Sequence, residues 1–172
     1  MINGRRGGRR RRFSGMPVSS VRRFVAIWVF LLATAVTGCS TSETVRAAFG
    51  GKLPLTVTVV PGANDDTAIA VDFVVVYDQK LLDELLKVSA ADWFATKSRF
   101  QADHPRKLEV ETREWVPGQR VGPMSIEYRA GARRVVVFAH YQSSGEHRAV
   151  VPPQQASNVV LGETDLKVEA RR

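Results

Sequence analysis

The sequence predicts a mainly β fold: a two-layer antiparallel β-sandwich with a short helical insertion after the second strand. Three observations carry this. Short segments between Pro54 and Ala170 alternate apolar and polar residues at period two; clusters of turn formers separate them; and helical spacing of apolar residues occurs in one stretch only, between Asp78 and Pro105. Seven or eight short strands with one helical interruption bury their apolar faces most simply as two stacked sheets.

In the first strand Leu55, Val57 and Val59 share one face, with Thr56 and Thr58 on the other. The stretch PGANDDTA, Pro61 to Ala68, is dense in turn formers, and the AIAVDFVVVY behind it places Ile69, Val71, Phe73, Val75 and Tyr77 on one face of a long second strand. Leu81, Leu82, Leu85 and Leu86 then recur at helical spacing behind Asp78, a residue type favoured at N-caps. Ser89-Ala90-Ala91-Asp92 has the form of a capping box opening a second helix, whose Trp93, Phe94 and Phe100 are expected to pack on the sheet. Beyond Pro105 the segments KLEVETREW, RVGPMSIEYR, RRVVVFAHYQ, HRAVV, NVVL and DLKVEA form the remaining strands. Met124, Ile126 and Tyr128 alternate with Ser125, Glu127 and Arg129, which predicts one wet face; Val135 to Ala139 is apolar throughout, which predicts a central strand covered on both sides.

Ahead of this domain, Phe24 to Val36 is an apolar run of 13 residues, short of the roughly 20 that span a bilayer as a helix. Eight arginines and no acid precede it, the layout of an export signal. The low-complexity GRRGGRRRRFSG is longer than such a signal requires, and a start at Met16 gives an ordinary one; Arg22-Arg23 still supplies the positive flank, and the strongly apolar run suits the general export route better than a twin-arginine one. The run ends in Val36-Thr37-Gly38-Cys39 and is similar to a bacterial lipobox. That similarity implies cleavage between Gly38 and Cys39, a diacylglycerol on the Cys39 thiol and acylation of the new amine. Ser40 after the cysteine favours sorting to the outer membrane. The expected organisation is a signal at 1–38, a lipidated tether at 39–52 and one sandwich domain at 53–172.

Cleavage also changes what the charge means. The 25 basic and 17 acidic residues of the whole chain suggest an anionic partner, but removal of 1–38 takes eight arginines and no acids, leaving 17 of each. No basic stretch long enough to track a phosphate backbone remains, which excludes nucleic acid as an expected partner. The basic pair Arg133-Arg134 is expected as a solvated strand start. Cys39 is the sole cysteine, so no intrachain disulfide can form and stability rests on packing.

Catalytic patterns are absent. His104, His140 and His147 have no metal-ligand spacing to one another, Ser143 and Ser144 lie beside His147 as turn serines, and Asp65-Asp66 is an adjacent pair in a turn. No enzyme activity, metal, cofactor other than the covalent lipid, or small-molecule substrate is expected.

The order of segments is nonetheless distinctive. From Leu55 to about Val168, LTVTVVPGANDD, then VVVYDQKLLDELL followed by AADWF, then the Val116-Pro117-Gly118 turn, then VVVFAHYQ, resembles the outer-membrane lipoprotein of the type VI secretion system, the TssJ/VasD-type family. His147-Arg148 stands where that family often has Trp-Arg. The resemblance implies a transthyretin-like sandwich, tethered to the periplasmic face of the outer membrane, that binds the periplasmic region of an inner-membrane secretion subunit. It points to the first loop, Pro61, Gly62, Ala63, Asn64, Asp65, Asp66 and Thr67, as the partner contact. No core position is expected in that loop, so a short Gly-Ser turn should replace it without unfolding the domain. The alternatives from other classes are a lipid-anchored binding or inhibitor module, lysozyme-inhibitor-like, and a lipidated periplasmic enzyme.

Overall fold

The computed structural model describes residues 50–153 and 155–171; the expected signal, the expected cleavage site and Cys39 lie outside these residues. Eight strands and two helices follow in the order β1 (Gly51–Val59), β2 (Ile69–Val76), α1 (Gln79–Leu85), α2 (Ala90–Asp103), β3 (Leu108–Trp115), β4 (Arg120–Tyr128), β5 (Arg134–Ala139), β6 (Arg148–Val151), β7 (Ser157–Leu161) and β8 (Leu166–Ala170). They form two four-stranded sheets, β4-β1-β7-β8 and β3-β2-β5-β6. Leu53, Leu55, Val57, Val59, Ile126 and Val159 of the first sheet meet Ile69, Val71, Phe73, Val75, Val135 and Val137 of the second in one buried core, so the fold is the expected β-sandwich.

Pairing is antiparallel except between β1 and β7, which run parallel from Leu55↔Ser157 to Val59↔Leu161. The chain crosses from β6 in one sheet to β7 in the other, and that crossover brings β7 alongside β1 in the same direction. The tether expected to reach Lys52 is shorter: Gly51 already pairs with Tyr128 and Lys52 with Glu127. Gly50, with φ +75°, is held against β4, where a Cβ would lie 2.8 Å from the Tyr128 carbonyl oxygen and 3.0 Å from the Ala130 nitrogen. The glycine pair thus begins the sheet, because only a residue without a side chain fits there.

In the sheet formed by β3, β2, β5 and β6, the central strands β2 and β5 are dry on both faces. The alternate residues Val74 and Val76 of β2 and Val136 and Phe138 of β5 point away from the sandwich core into a second cluster with Leu81, Leu82, Leu85, Ala90 and Trp93 of the helices. Burial on both faces explains the continuous apolar run of β5. Both helices open as their sequences specify. Asp78 accepts the Leu81 amide at 2.9 Å, and Ser89 accepts the Asp92 amide at 3.1 Å while donating to the Asp92 carboxylate at 2.7 Å.

One residue in this second cluster has no sequence signal. Asp72 of β2 is completely buried, where an unpaired carboxylate would be strongly unfavourable. Trp93 Nε1 and Lys97 Nζ both donate to its Oδ2, at 2.8 and 3.0 Å, and Thr112 Oγ1 donates to Oδ1 at 2.6 Å. The carboxylate fixes α2 over β2 and β3, and the Trp93 ring stacks on Phe138 at 5.0 Å.

Candidate partner-binding surface

The strand directions bring four loops to one end of the sandwich: 60–68 between β1 and β2, 116–119 between β3 and β4, 140–147 between β5 and β6, and 162–165 between β7 and β8. Hydrogen bonds interlock them. Val60 N donates to Leu161 O at 3.0 Å, Asn64 N to Glu163 O at 2.9 Å, and Gly118 N to Val60 O at 3.3 Å.

The first loop is built around Asn64. Asn64, Asp65 and Asp66 take three successive left-handed conformations, with φ of 52°, 54° and 58°. Asn and Asp tolerate this region best among residues with side chains, yet each such residue is less stable there than in an ordinary turn. Compensation comes from a fully engaged side chain. Asn64 Nδ2 donates to Thr67 Oγ1 at 2.8 Å and to Ala68 O at 3.2 Å, while its Oδ1 accepts the Gln142 amide at 2.7 Å. Thr67 Oγ1 donates to Asn64 O at 2.6 Å, and Asp66 Oδ1 accepts the Gly62 amide at 3.1 Å.

This corrects the expectation that the loop contains no core position. Ala63 is completely buried in the sandwich core and Asn64 is nearly so. A Gly-Ser replacement would remove a core methyl group and the side chain that ties the first loop to the third. Of the predicted contact residues, Pro61, Asp65, Asp66 and Thr67 are exposed, Gly62 is half-buried, and Ala63 and Asn64 face inward.

Two buried residues of the third loop, Tyr141 and His147, complete the end. Tyr141 donates its hydroxyl to the Gly162 carbonyl at 3.0 Å; burial, with a smaller contribution from the Asp165 carboxylate, pushes its pKa well above the ordinary value of 10.0. His147, also buried, places Nδ1 3.0 Å from Asp165 Oδ1 and Nε2 2.9 Å from the Ser143 carbonyl oxygen. Ser143, His147 and Asp165 therefore lie in the order of a hydrolytic triad, but the bonding is wrong for one. Nε2 lies nearer the Ser143 carbonyl oxygen, at 2.9 Å, than the Ser143 hydroxyl, at 3.4 Å, and that hydroxyl donates to Thr164 O at 3.2 Å. The arrangement braces two loops, consistent with turn serines.

His140 does not join His147 at a ligand site; its ring stacks on Phe94 at 4.7 Å. Among the described residues no three His, Cys, Asp or Glu side chains converge as metal ligands, and no helix is long and apolar enough to cross a membrane. The outward chemistry of the loop end is acidic: Asp65, Asp66, Glu146, Glu163 and Asp165 lie in the four loops, which contain no lysine or arginine.

No protein-family model and no curated protein matches the chain by sequence. Solved structures do match by shape. The T6SS lipoprotein TssJ1 from Pseudomonas aeruginosa is 19% identical with a TM-score of 0.54, the match covering 72% of this chain and 98% of that one. Serratia marcescens Lip, a membrane-bound component of the type VI secretion system, is 14% identical with a TM-score of 0.56, covering 72% and 99%. A chain in the structure of the T6SS protein TssM C-terminal domain from EAEC is 12% identical with a TM-score of 0.50, covering 69% and 97%. Nearly the whole length of each matched chain is thus accounted for by the domain described above, and this protein has the β-sandwich fold of the type VI secretion lipoproteins.

Proposed function

We propose that the protein is a lipid-anchored adaptor of a type VI secretion membrane complex, without catalytic activity. Cys39 carries the acyl chains that hold it on the periplasmic face of the outer membrane, and its loop end binds the periplasmic region of an inner-membrane subunit. The observation that carries this reading is a shared fold spanning nearly the full length of secretion lipoproteins, in a chain whose sole cysteine ends a lipobox-like motif. Several acyl chains make attachment effectively permanent, since each buried methylene contributes about 0.8 kcal/mol and one chain alone binds marginally.

The loop end suits a specific contact because its backbone is fixed before a partner arrives. Asn64 and the interloop bonds hold the exposed Asp65, Asp66 and Glu163 on a rigid base, which reduces the ordering cost of binding. The fitting partner surface is cationic. The test is Asp65→Arg combined with Glu163→Arg, both exposed and outside the Asn64 side-chain network. Affinity for the inner-membrane subunit's periplasmic region should fall tenfold or more, about 1.4 kcal/mol, with an unchanged circular dichroism spectrum. Unaltered affinity would place the contact elsewhere. For the anchor, Cys39→Ser should leave an uncleaved, mislocalised chain, and density-gradient fractionation should place the native mature protein in the outer membrane.

A further inference from the structure

The opposite end of the sandwich has the opposite charge. Arg106 and Lys107 precede β3, Arg129 and Arg133 lie in the β4–β5 loop and Arg134 opens β5; all five are exposed. Contacts gather these separated residues into one patch. Arg129 Nη2 donates to Arg106 O at 2.9 Å, Arg134 Nη1 to Arg133 O at 2.7 Å, Arg133 N to Val76 O at 2.7 Å and Tyr77 N to Lys107 O at 2.9 Å. The Arg129 guanidinium also lies over the Tyr77 ring at 4.2 Å. Lys52 adds a sixth cation on the neighbouring strand.

Three carboxylates face these cations: Glu109 on Arg129, Asp78 on Lys107 and Glu127 on Lys52. Among the described residues no carboxylate pairs with Arg106, Arg133 or Arg134. The sandwich is therefore an electric dipole along its strands, with about 30 Å of β1 separating a net positive end from the acidic loops.

The chain also emerges at this positive end. Gly50 is packed against the Tyr128 to Ala130 backbone, beside Arg129. Whatever their conformation, the eleven residue steps from Cys39 to Gly50 span at most about 40 Å. We infer that the Arg106, Lys107, Arg129, Arg133 and Arg134 end docks on anionic phospholipid headgroups of the membrane that holds the Cys39 acyl chains, so that the acidic loop end faces away from the bilayer. The inference rests on the anchor reading above and adds an orientation to it: a lipid tether limits distance only, whereas a charged surface attracts the basic end and repels the acidic end within a Debye length of about 8 Å.

The test uses the acylated mature protein reconstituted in vesicles. Lipidation consumes the Cys39 thiol, so Ala130→Cys at the basic end and Glu163→Cys at the loop end each provide a single site for a fluorophore. Quenching by headgroup-nitroxide lipid is compared in phosphatidylcholine vesicles and in vesicles about one-third phosphatidylglycerol. At the Ala130→Cys site quenching should be about threefold stronger with the anionic lipid and should lose that excess in high salt, while the Glu163→Cys site should be unaffected. Arg106→Glu, Arg133→Glu and Arg134→Glu together should abolish the excess without loss of vesicle attachment. Equal quenching of an acylated chain in the two lipids, or an excess that survives the triple reversal, would overturn the orientation. A triple reversal that leaves quenching unaltered but weakens co-purification with another membrane-complex subunit would overturn it in favour of an acidic protein face. A purified chain without acyl mass would instead overturn the anchor reading.

Discussion

The two ends of the sandwich are built by opposite strategies. At the loop end the polar groups that matter are buried: Asn64, Tyr141 and His147 satisfy backbone and side-chain partners on three of the four loops. At the basic end the polar contacts are exposed ion pairs, Arg129 with Glu109, Lys107 with Asp78 and Lys52 with Glu127. A buried polar group is costly to leave unpaired, whereas an exposed pair exchanges its partner for water. The loop end should therefore be rigid and intolerant of internal change, and the basic end tolerant.

The sharpest test is Asn64→Ala. It removes three side-chain hydrogen bonds, leaves the Gln142 amide without its acceptor and removes support for the left-handed run, so a loss of about 2–4 kcal/mol is expected by chemical denaturation. A loss below about 0.5 kcal/mol, the range of ordinary surface substitutions, would erase the contrast. Replacing residues 61–67 by a Gly-Ser turn should likewise destabilise the domain, because Ala63 leaves the core. Retention of Ala63 and Asn64 in the grafted loop should restore most of that loss.

Arg129→Ala probes the other end. Its guanidinium contacts Glu109, Tyr77 and the Arg106 carbonyl from an exposed position, so the denaturation midpoint should barely move and any change should vanish at high salt. A drop comparable to that of Asn64→Ala would show that the basic end is structurally fixed too.

The smallest effect concerns pH. The Leu81 amide, first, and then Lys107 hold the Asp78 carboxyl below its ordinary value of 3.8. A depressed carboxylate contributes stability that is present above the unfolded-state value and lost as pH falls through the lower folded-state one. Asp78→Asn, which keeps a capping oxygen but not the charge, should flatten that acid limb below about pH 4 and slightly lower stability near neutrality, where the carboxylate's contribution is present. An identical acid limb in wild type and variant would remove Asp78 as its source.

The sequence by itself determined what local geometry dictates. Alternation from Leu55 to Val59, the apolar run Val135–Ala139, and the caps at Asp78 and Ser89 each depend on residues within a few positions of one another, where backbone periods leave few solutions. The tertiary structure alone decided which polar residues are internal. Asn64 and Asp65 are neighbours of similar turn chemistry, yet one is buried because residue 142, 78 positions away, places an amide against it. Asp72 lies on the face of β2 opposite the sandwich core, and it is internal only because α2 covers it with Trp93 and Lys97. The parallel β1–β7 pair and the gathering of arginines at 106, 129, 133 and 134 likewise follow from which strands the chain brings together. Periodicity states which side of an element is apolar, but not what another part of the chain will lay against the side that is not.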